Sequence, residues 1–338
     1  MKTETLDTTR FSVLDLAPVA QGQTAADTFR NSLDLARHVE RLGYTRYWVS
    51  EHHNMAGVAS SAPPILIGHL AGGTTTLRVG SGGVMLPNHS PLVVAEQFGT
   101  LATLYPDRID LGLGRAPGTD PVASRAIRGV RVDQAHNFPG DVQQLQAYFS
   151  ADNASAAVRA IPGEGLDVPI YILGSSTESA YLAGLLGLPY AFAAHFAPTH
   201  FDAALERYRA NFRPSAYLSE PYAIACVNVV TADTDAEAEY LASTLYQMML
   251  GVVTGKRQLM QPPVDDMAPL WTEPEELYVK QMLSTSFLMG RERLGQELPD
   301  FVARHGLQEV MVAGHLYDHA ARLRSYAIVA DVLQGVAA

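Results

Sequence analysis

The stretch that decides the fold is Leu77–Pro91, LRVGSGGVMLPNHSP. Its apolar, β-branched residues predict a buried strand, which the glycine-rich elbow Gly80–Gly83 interrupts. Glycine clusters in strands mark a bulge, or a place where a flat group approaches the backbone. Ser90-Pro91 then predicts the start of a helix. We interpret the stretch as a strand–helix unit whose bare backbone could lie under a planar ligand, and a plain tight turn is the alternative.

Seven further apolar runs on either side of this unit predict strands, and each is followed by a pattern typical of a helix. Strand and helix alternate in this way through residues 1–338, which predicts one domain folded as a closed (β/α)8 TIM barrel. The predicted strands are Phe11–Ala17, Tyr47–Ser50, Leu77–Met85, Ile109–Leu113, Val168–Leu173, Tyr190–Ala194, Ala223–Val230 and Glu309–Val312.

An open, doubly wound sheet is the rival architecture, and it would carry a dinucleotide-binding glycine fingerprint after an early strand. The nearest match is Gly112–Gly118, GLGRAPG, which follows the fourth predicted strand. Pro117 stands where the third glycine should be, and that glycine falls one residue late. The spacing therefore argues against a nicotinamide fingerprint and favours the barrel.

Some segments do not fit the repeat. Gly114–Val132 is predicted as a long connection, and Ser150–Asp167, which is small and polar, is predicted as a surface excursion. Residues 250–276 are longer and contain four prolines. A loop of this length in a compact fold is usually functional or disordered. Because it follows the seventh strand and its helix, we interpret it as a candidate lid over the barrel mouth, with a mobile surface loop as the alternative.

Composition argues against several classes of function. The chain carries a formal net charge of -11 and no basic run, which argues against a nucleic-acid surface. Cys226 is the only cysteine, so an internal disulfide and a multi-cysteine metal site are excluded. The N-terminal MKTETLDTTR lacks the apolar core of a signal peptide, and no apolar run reaches membrane-spanning length. We therefore expect a cytoplasmic protein with no membrane partner.

Catalytic residues of such a barrel lie at the carboxyl ends of its strands. Asp15 lies near the end of the first predicted strand, Glu51, His52 and His53 follow the second, and His195 follows the sixth. Side chains alternate across a strand, so two adjacent histidines cannot both face one ion, and we predict no metal site. One of the two histidines is predicted to act as an acid, a base or a polarising group, and the other is predicted to be structural.

Anion-binding features follow the fourth and fifth predicted strands. The planar guanidinium of Arg115 suits a phosphate, although a structural salt bridge is the alternative. Gly174, Ser175, Ser176 and Thr177 offer backbone N–H groups and hydroxyls at the start of a helix, where they bind an anion or form an ordinary N-cap. Together with the glycine elbow they describe a phosphorylated planar ligand, and FMN fits. The usual phosphate site of TIM barrels lies after strands seven and eight instead.

These residues resemble the bacterial luciferase-like flavin-dependent monooxygenases, in the branch of luciferase-family oxidoreductases. The runs EHHNM at 51–55, GGVMLPNHSPL at 82–92 and LGLGRAPGTD at 111–120 carry the resemblance most specifically. The resemblance implies an FMN-binding (β/α)8 barrel, in agreement with the alternating strands and helices. Shorter matching stretches extend it over nearly the whole chain, at Phe11–Pro18, Tyr171–Ser176 and Tyr317–Ser325.

The resemblance implies roles for residues around the flavin ring. His52 matches a histidine that assists flavin and substrate chemistry. Gly82 and Gly83, next to Ser81, match a pair joined by a non-prolyl cis peptide beneath the isoalloxazine ring. His195, at the end of the sixth strand, is expected to face the substrate.

The resemblance also implies roles around the flavin phosphate. Arg115 matches an arginine that binds the phosphate. Ser175 and Ser176 fall in the phosphate-binding turn, with Thr177 or Ser179 as a further hydroxyl donor. A second phosphate arginine has no secure match, and Arg125 and Arg128 are both candidates. Gly114 stands where luciferases have a cysteine, which removes a group lining the flavin pocket and argues against light emission.

The implied activity is that of a two-component monooxygenase. Reduced FMN, supplied by a separate flavin reductase, would react with O2 to give a C4a-hydroperoxide that oxidises a small organic substrate. The protein would exclude water from this adduct and orient it. A deazaflavin-dependent hydride transfer on the same barrel is one alternative, and a non-catalytic flavin-binding protein is another. The resemblance also implies a homodimer formed through early barrel helices.

Overall fold

A computed structural model describes residues 9–129 and 137–335 of the chain. Residues 1–8, and the last part of the predicted connection Gly114–Val132, lie outside the described residues. The strands are β1 (Arg10–Asp15), β2 (Arg46–Val49), β3 (Arg78–Met85), β4 (Ile109–Gly114), β5 (Ile170–Gly174), β6 (Tyr190–Ala193), β7 (Ala223–Val230), β8 (Phe287–Leu288) and β9 (Glu309–Ala313). The helices are α1 (Ala25–Arg41), α2 (Pro63–Gly72), α3 (Pro91–Leu104), α4 (Pro121–Arg128), α5 (Phe138–Phe149), α6 (Thr177–Leu186), α7 (Phe201–Ala210), α8 (Asp235–Val253), α9 (Glu273–Met282), α10 (Arg291–His305) and α11 (His319–Leu333).

Eight of the described strands close into a parallel barrel, which confirms the predicted TIM-barrel architecture. Each of β1 to β6 pairs with the next strand along the chain, β7 pairs with both β6 and β9, and β9 returns to β1. The two-residue β8 lies outside this ring and extends only the end of β7. Closure leaves the barrel with no free strand edge, and helices cover its outer face.

The sheet separates two apolar regions. A large core lies between the strands and the surrounding helices, and a smaller cluster fills the barrel interior with residues that include Leu14, Trp48, Tyr171 and Met311. Alternate residues of each strand point to opposite faces, so each strand contributes to both regions. The interior is therefore a filled core, and a ligand has room only at its ends.

The amino-terminal end of the barrel interior holds a buried ion network. Arg46 donates from Nε to Glu309 Oε1 at 2.8 Å and from a terminal nitrogen to Asp110 Oδ2 at 2.7 Å. All three side chains are at most 1% exposed. Tyr171 Oη accepts a further bond from Arg46 at 2.7 Å, and Arg78 reaches the other oxygen of Asp110. This network closes the amino-terminal end of the barrel, opposite the carboxyl ends of the strands.

Local sequence signals account for most element boundaries. Thr24 and Asp27 form a capping box at the start of α1, because each side chain bonds to the backbone of the other residue. Ser90 and Pro91 occupy the first positions of α3, although the Ser90 hydroxyl does not bond to the helix backbone. The first strand ends at Asp15, earlier than predicted, because the chain turns where Ala17 donates its N–H to Asp15 Oδ1 at 2.8 Å.

Two helices begin in segments that were predicted as loops. Helix α4 begins after Asp120, whose carboxylate accepts the N–H groups of the first turn, and Pro121 is its first residue. Helix α9 begins after Thr272, which forms a capping box with Glu275. Both start signals are present in the sequence, and the prediction was wrong because neighbouring prolines and glycines obscured them. In the described residues no helix is both long and apolar enough to cross a membrane.

Candidate active site

The glycine elbow is a bulge in β3. Its pairing with β4 shifts register between Ser81 and Val84, and a cis peptide joins Gly82 to Gly83, as predicted. Gly82 keeps partial exposure at the strand tip while its neighbours are buried. The Ser81 hydroxyl is fully buried and bonds both the carbonyl and the N–H of Gly112, at 2.9 and 3.1 Å, so it ties β3 to β4.

Packing against neighbouring strands explains why this bulge is made of glycine. A Cβ on Gly82 would lie 2.7 Å from Leu14 Cδ1, and one on Gly83 would lie 2.7 Å from the carbonyl oxygen of Gly112. Both distances are shorter than Cβ contacts normally reach, so any side chain here would displace the barrel backbone or core. The two glycines thus allow β3 to pack closely against the neighbouring strands, and they also leave bare backbone at the mouth.

The adjacent histidines after β2 face different partners, as the alternation of side chains predicted. His53 Nε2 and His89 Nε2 both lie 2.8 Å from Glu51 Oε1, and the other oxygen of Glu51 accepts the N–H of Met85 at 2.9 Å. These contacts lower the pKa of the Glu51 carboxyl despite its burial. His53 is therefore structural, and Glu51 joins the loops after β2 and β3. No cluster able to hold a metal ion occurs in the described part of the chain.

His52 faces the barrel mouth. Its Nδ1 lies 3.3 Å from the carbonyl oxygen of Gly118, and its backbone N–H donates to Ser60 at 2.9 Å. Burial lowers the pKa of His52, and the nearby Arg257 lowers it further. A proton held on Nδ1 by the Gly118 carbonyl leaves Nε2 of the neutral ring free to accept a hydrogen bond.

His195 is buried at the end of β6 and lies close to two other histidines. Burial, together with the neighbouring His315 and His52, lowers the pKa of His195 to about 3. Burial likewise lowers the pKa of His315 to about 4. Three neutral imidazoles therefore gather at the carboxyl end of the barrel at physiological pH.

Arg115 and the turn after β5 lie on neighbouring strand ends. Gly114, the last residue of β4, pairs with Leu173, so Arg115 follows β4 at the level where Gly174 ends β5. Arg115 is exposed and makes no hydrogen bond or ion pair within residues 9–129 and 137–335. This argues against the structural salt bridge and leaves its guanidinium free to bind an anion.

The turn at 174–177 opens α6. Ser176 is the N-cap and its hydroxyl accepts from the N–H of Ser179 at 3.4 Å, while Ser175 and Thr177 are partly exposed. Glu178 is exposed, and its carboxylate accepts from the Thr177 hydroxyl at 3.3 Å. The polar groups around it, its own backbone N–H first, lower its pKa. The helix start is thus able to bind an anion, and a carboxylate already lies close to it.

The two candidates for a second phosphate arginine both lie on α4. Arg128 donates from Nε to Asn88 Oδ1 at 3.1 Å, and Asn88 in turn donates to the Pro117 carbonyl at 2.8 Å. Arg125 is exposed in the last turn of the helix. Arg128 therefore supports the loop that carries Arg115, while Arg125 is unconstrained by any contact in the described residues.

The segment between α8 and α9, residues 254–272, reaches the loops at the barrel mouth. Met260 exchanges backbone hydrogen bonds with Val19 and Gln21 after β1, at 2.9 and 2.8 Å. Arg257 lies 3.3 Å from the sulfur of Met55, in the loop that carries His52. These contacts bring the segment to the carboxyl end of the barrel, and its role as a lid stays a prediction.

Asp15, a candidate at the end of β1, has a structural role. Its carboxylate is buried and accepts from Arg322 at 2.8 Å, from Ser32 at 2.6 Å and from Tyr47 at 2.5 Å. These partners lie on α11, α1 and β2, and although burial opposes ionisation, they lower the pKa of Asp15 to about 2. The carboxylate ties helices to the barrel wall and does not face the mouth.

Two polar residues at the mouth were missed by the sequence reasoning. Asn228 is the only side chain within the apolar run of β7, AIACVNVV, that can form several hydrogen bonds. His315 follows β9 by two residues. An amide inside a buried strand and a histidine just after one are both signals that could have identified them.

Comparison with known proteins agrees with this geometry. The family model for luciferase-like monooxygenases matches residues 9–327. The chain is 54% identical over 96% of both lengths to the uncharacterised protein YvbT of Bacillus subtilis. It is 49% identical to a luciferase-like monooxygenase of Escherichia coli, over 96% of this chain and 97% of the other. The chain therefore belongs to the luciferase-like monooxygenase family.

Solved structures share the same fold. The crystal structure of apo-MsnO8 superposes with a TM-score of 0.85 at 35% identity, over 96% of this chain and 98% of the other. Two structures share only the fold. One is the oxygenating constituent of 3,6-diketocamphane monooxygenase in complex with FMN, at 17% identity and a TM-score of 0.72, covering 96% and 97% of the two chains. The other is an F420-dependent secondary alcohol dehydrogenase, at 14% identity and 0.67, covering 96% and 99%.

Proposed function

We propose that this protein is an FMN-dependent monooxygenase that uses reduced FMN and O2 to oxidise a small organic substrate. One observation carries the proposal: Arg115, which has no hydrogen bond or ion pair within the described residues, follows β4 at the level where β5 ends and α6 starts, and the bare backbone of the Gly82-Gly83 bulge lies in β3 beside β4. These features therefore lie on three neighbouring strands, β3, β4 and β5. A phosphate and a flat ring are the two parts of FMN that such neighbours would bind.

The residues present fit this cofactor. Arg115 and the N–H groups of Ser175 and Ser176 would hold the phosphate, and Gly82 with Gly83 would support the ring. When bound, reduced FMN supplies the oxygen-activating chemistry that no side chain has. The protein's own contribution is to position the ring, and to keep water from the site.

His52 would handle a proton at the mouth. Because its pKa is lowered by burial, its ring is neutral at physiological pH. With Nδ1 facing the Gly118 carbonyl, Nε2 would accept a proton from the reacting groups and return it. His195 would face the substrate from the opposite side of the mouth, after β6.

A deazaflavin-dependent hydride transfer is the second candidate. It is supported by the F420-dependent secondary alcohol dehydrogenase, which has the same fold. A titration with FMN and with F420, followed by intrinsic fluorescence, separates the two. We expect FMN to bind at least about tenfold tighter than F420, a difference of about 1.4 kcal/mol. Preference for F420 would contradict the proposal.

Turnover separates an enzyme from a non-catalytic flavin-binding protein. The protein is mixed with a flavin reductase, NADH, FMN and ¹⁸O₂, and with trial aldehydes, ketones and aromatic compounds. We expect ¹⁸O in a product only when the protein, the reductase and oxygen are all present. The His52→Asn variant, which removes the free Nε2, is expected to lower the rate by about 10²-fold with FMN affinity unchanged.

The carboxylate of Glu178 is expected to oppose phosphate binding. Replacing it in Glu178→Gln removes a negative charge from the helix start where the phosphate would bind. We expect FMN to bind about two- to fivefold tighter, the usual size of a charge effect at a helix terminus. Titration at low ionic strength measures it, with Glu297→Gln on α10 as a control for net charge. Equal affinity in the two variants would contradict the prediction.

We also propose a cytoplasmic flavin reductase as the source of reduced FMN, and a homodimer as the assembled form. Ile65 on α2 is 74% exposed, and Val93 and Leu104 on α3 are 44% and 63% exposed. Apolar side chains exposed on adjacent helices support association through this face.

A further inference from the structure

The carboxyl end of the barrel contains buried polar atoms without partners. Among the described residues, His195 Nδ1, Asn228 Oδ1 and His315 Nδ1 are inaccessible to solvent and make no hydrogen bond. His195, Asn228 and His315 are 9%, 1% and 3% exposed. Buried polar groups are nearly always hydrogen-bonded in folded proteins, so three neighbouring exceptions require an explanation.

The register of the strands gathers these residues on one side of the mouth. Ala193 pairs with Cys226, and Asn228 pairs with Ala313. Cys226 and Ala313 belong to the barrel interior, so Asn228, two residues after Cys226, faces the same way. Asn228 Nδ2 also donates to the His195 carbonyl at 2.5 Å. We name His195, Asn228 and His315 the polar rim.

The opposite side of the mouth is largely apolar, except at β2, where Ser50 carries a buried hydroxyl without a partner among the described residues and His52 faces the mouth. The corresponding positions on β1 and β3 to β5 are Leu16, Gly82, Gly114 and Leu173, which offer apolar side chains or none. The mouth is therefore divided into a flat apolar half, where the proposed flavin ring would lie, and a polar half across from it. A group bound between the two halves would lie against the polar rim, whose buried atoms it would reach by small shifts of the side chains that cover them.

The unpartnered atoms of the polar rim are mainly acceptors. Asn228 uses both its amide hydrogens on the His195 carbonyl and on Ser286 Oγ, which leaves Oδ1 to accept. His195 Nδ1 has no partner among the described residues, and with the proton of the neutral ring on Nε2 it carries a lone pair. A ligand satisfies both atoms by donating hydrogen bonds.

The site suits an uncharged group. Its imidazoles are neutral, and the nearest buried carboxylate, Asp15, is paired with Arg322 at 2.8 Å. A buried charge without a partner would be costly here. We propose that the polar rim binds an uncharged substrate group that donates a hydrogen bond, such as a secondary amide or a hydroxyl. The statement that the bound group belongs to a substrate rests on the monooxygenase proposal. The existence of the binding site does not depend on that proposal.

A matched pair of probes tests the proposal. N-methylbenzamide donates one hydrogen bond, and N,N-dimethylbenzamide donates none. Binding of each to the FMN-loaded protein is measured by calorimetry without reductant, so that no turnover is required. We expect the donor to bind about tenfold tighter, the usual effect of one or two neutral hydrogen bonds. Equal binding, or no binding of either probe up to its solubility, would overturn the proposal.

Two variants assign the effect to the rim. Asn228→Leu removes the free Oδ1 and is expected to reduce the preference for the donor to within about twofold. Ser286→Ala removes only the hydroxyl that accepts from Asn228 Nδ2 and is expected to keep the preference. A preference unchanged in Asn228→Leu would exclude Asn228 as the acceptor.

Side-chain ¹⁵N NMR of the wild-type protein gives a readout that does not depend on a variant folding. We expect the Nδ1 resonance of His195 to be that of an unprotonated nitrogen and to shift when N-methylbenzamide is added. The measurement is repeated with and without FMN. If FMN alone shifts it and blocks the probe, the rim binds the flavin ring and the substrate assignment is wrong. If FMN does not bind at all, the monooxygenase proposal fails while binding of the donor still supports the rim.

Discussion

The Arg115→Ala variant is expected to bind FMN about 10- to 100-fold more weakly than the wild type, because hydrogen bonds to a charged group contribute about 1.5–3 kcal/mol. Arg115 makes no hydrogen bond or ion pair in the described residues that its loss would break, so the protein should stay folded. Because Arg115 follows β4 at the level where α6 starts, its charge and the helix N–H groups would act together on the phosphate of FMN bound as proposed. Fluorescence titration with oxidised and photoreduced FMN measures the change.

Three comparisons make this result specific. Arg115→Lys keeps the charge but not the planar fork, so we expect an intermediate affinity. Arg159→Ala removes an exposed arginine that pairs with Glu164 and should leave FMN binding unchanged. Arg125→Ala and Arg128→Ala, in the same titration, identify which of the two supplies a second phosphate contact. Unchanged binding in Arg115→Ala would place the phosphate elsewhere.

The Arg46→Met variant is expected to lower the free energy of unfolding by about 3–5 kcal/mol, the usual cost of leaving a buried charge without its partner. Arg46 is 1% exposed and bonds both Asp110 and Glu309. Its loss leaves Glu309 with only the hydroxyls of Ser12 and Tyr222 as partners among the described side chains. Urea unfolding at neutral pH, followed by circular dichroism, measures the effect.

The matched control is Lys280→Met, which removes a cation from an exposed ion pair with Glu276 on α9. We expect this change to cost less than about 1 kcal/mol, because solvent screens exposed pairs. A similar cost for the two variants would show that the network at the base of the barrel contributes no more than a surface pair.

We expect the difference in the free energy of unfolding between Arg46→Met and the wild type to become smaller in acid. Burial raises the pKa of Asp110, but Arg46 and Arg78 lower it more, so the net shift is downward. A carboxyl whose pKa is lower in the folded state stabilises the protein above its unfolded pKa, and this contribution is lost as pH falls through the folded pKa. We therefore expect the urea unfolding curves of the wild type and of Arg46→Met to converge as the pH is lowered.

The sequence by itself determined the barrel and the strand ends that carry the site. Each strand is a short apolar run followed by a helical pattern, and this alternation leaves a closed parallel barrel as the compact arrangement. Once the strands are placed, His52, Arg115 and His195 must lie at the same end of the barrel, because all parallel strands end there. The motifs around Gly82 and Arg115 also indicated the family from the sequence alone, because each motif consists of residues that are adjacent in the chain.

Tertiary structure decided which of these residues are free. Asp15 and His53 are polar residues at strand ends like His52, yet both have buried partners. Arg322 on the distant α11 binds Asp15, and Glu51, two residues before His53, binds His53 together with the more distant His89. Ser81 is likewise bonded to Gly112 across the sheet. Whether a side chain is available depends on contacts between elements far apart in sequence.

The polar rim is a second case in which the sequence does not show whether a polar side chain has a partner. Asn228 reads in the sequence as one polar residue in a buried strand, and nothing local reveals that its oxygen has no partner. That fact follows from the register of β6, β7 and β9, which brings His195 and His315 beside it. Residue spacing predicts where a strand ends, but only the closed barrel decides which polar atoms meet there and which remain unpaired.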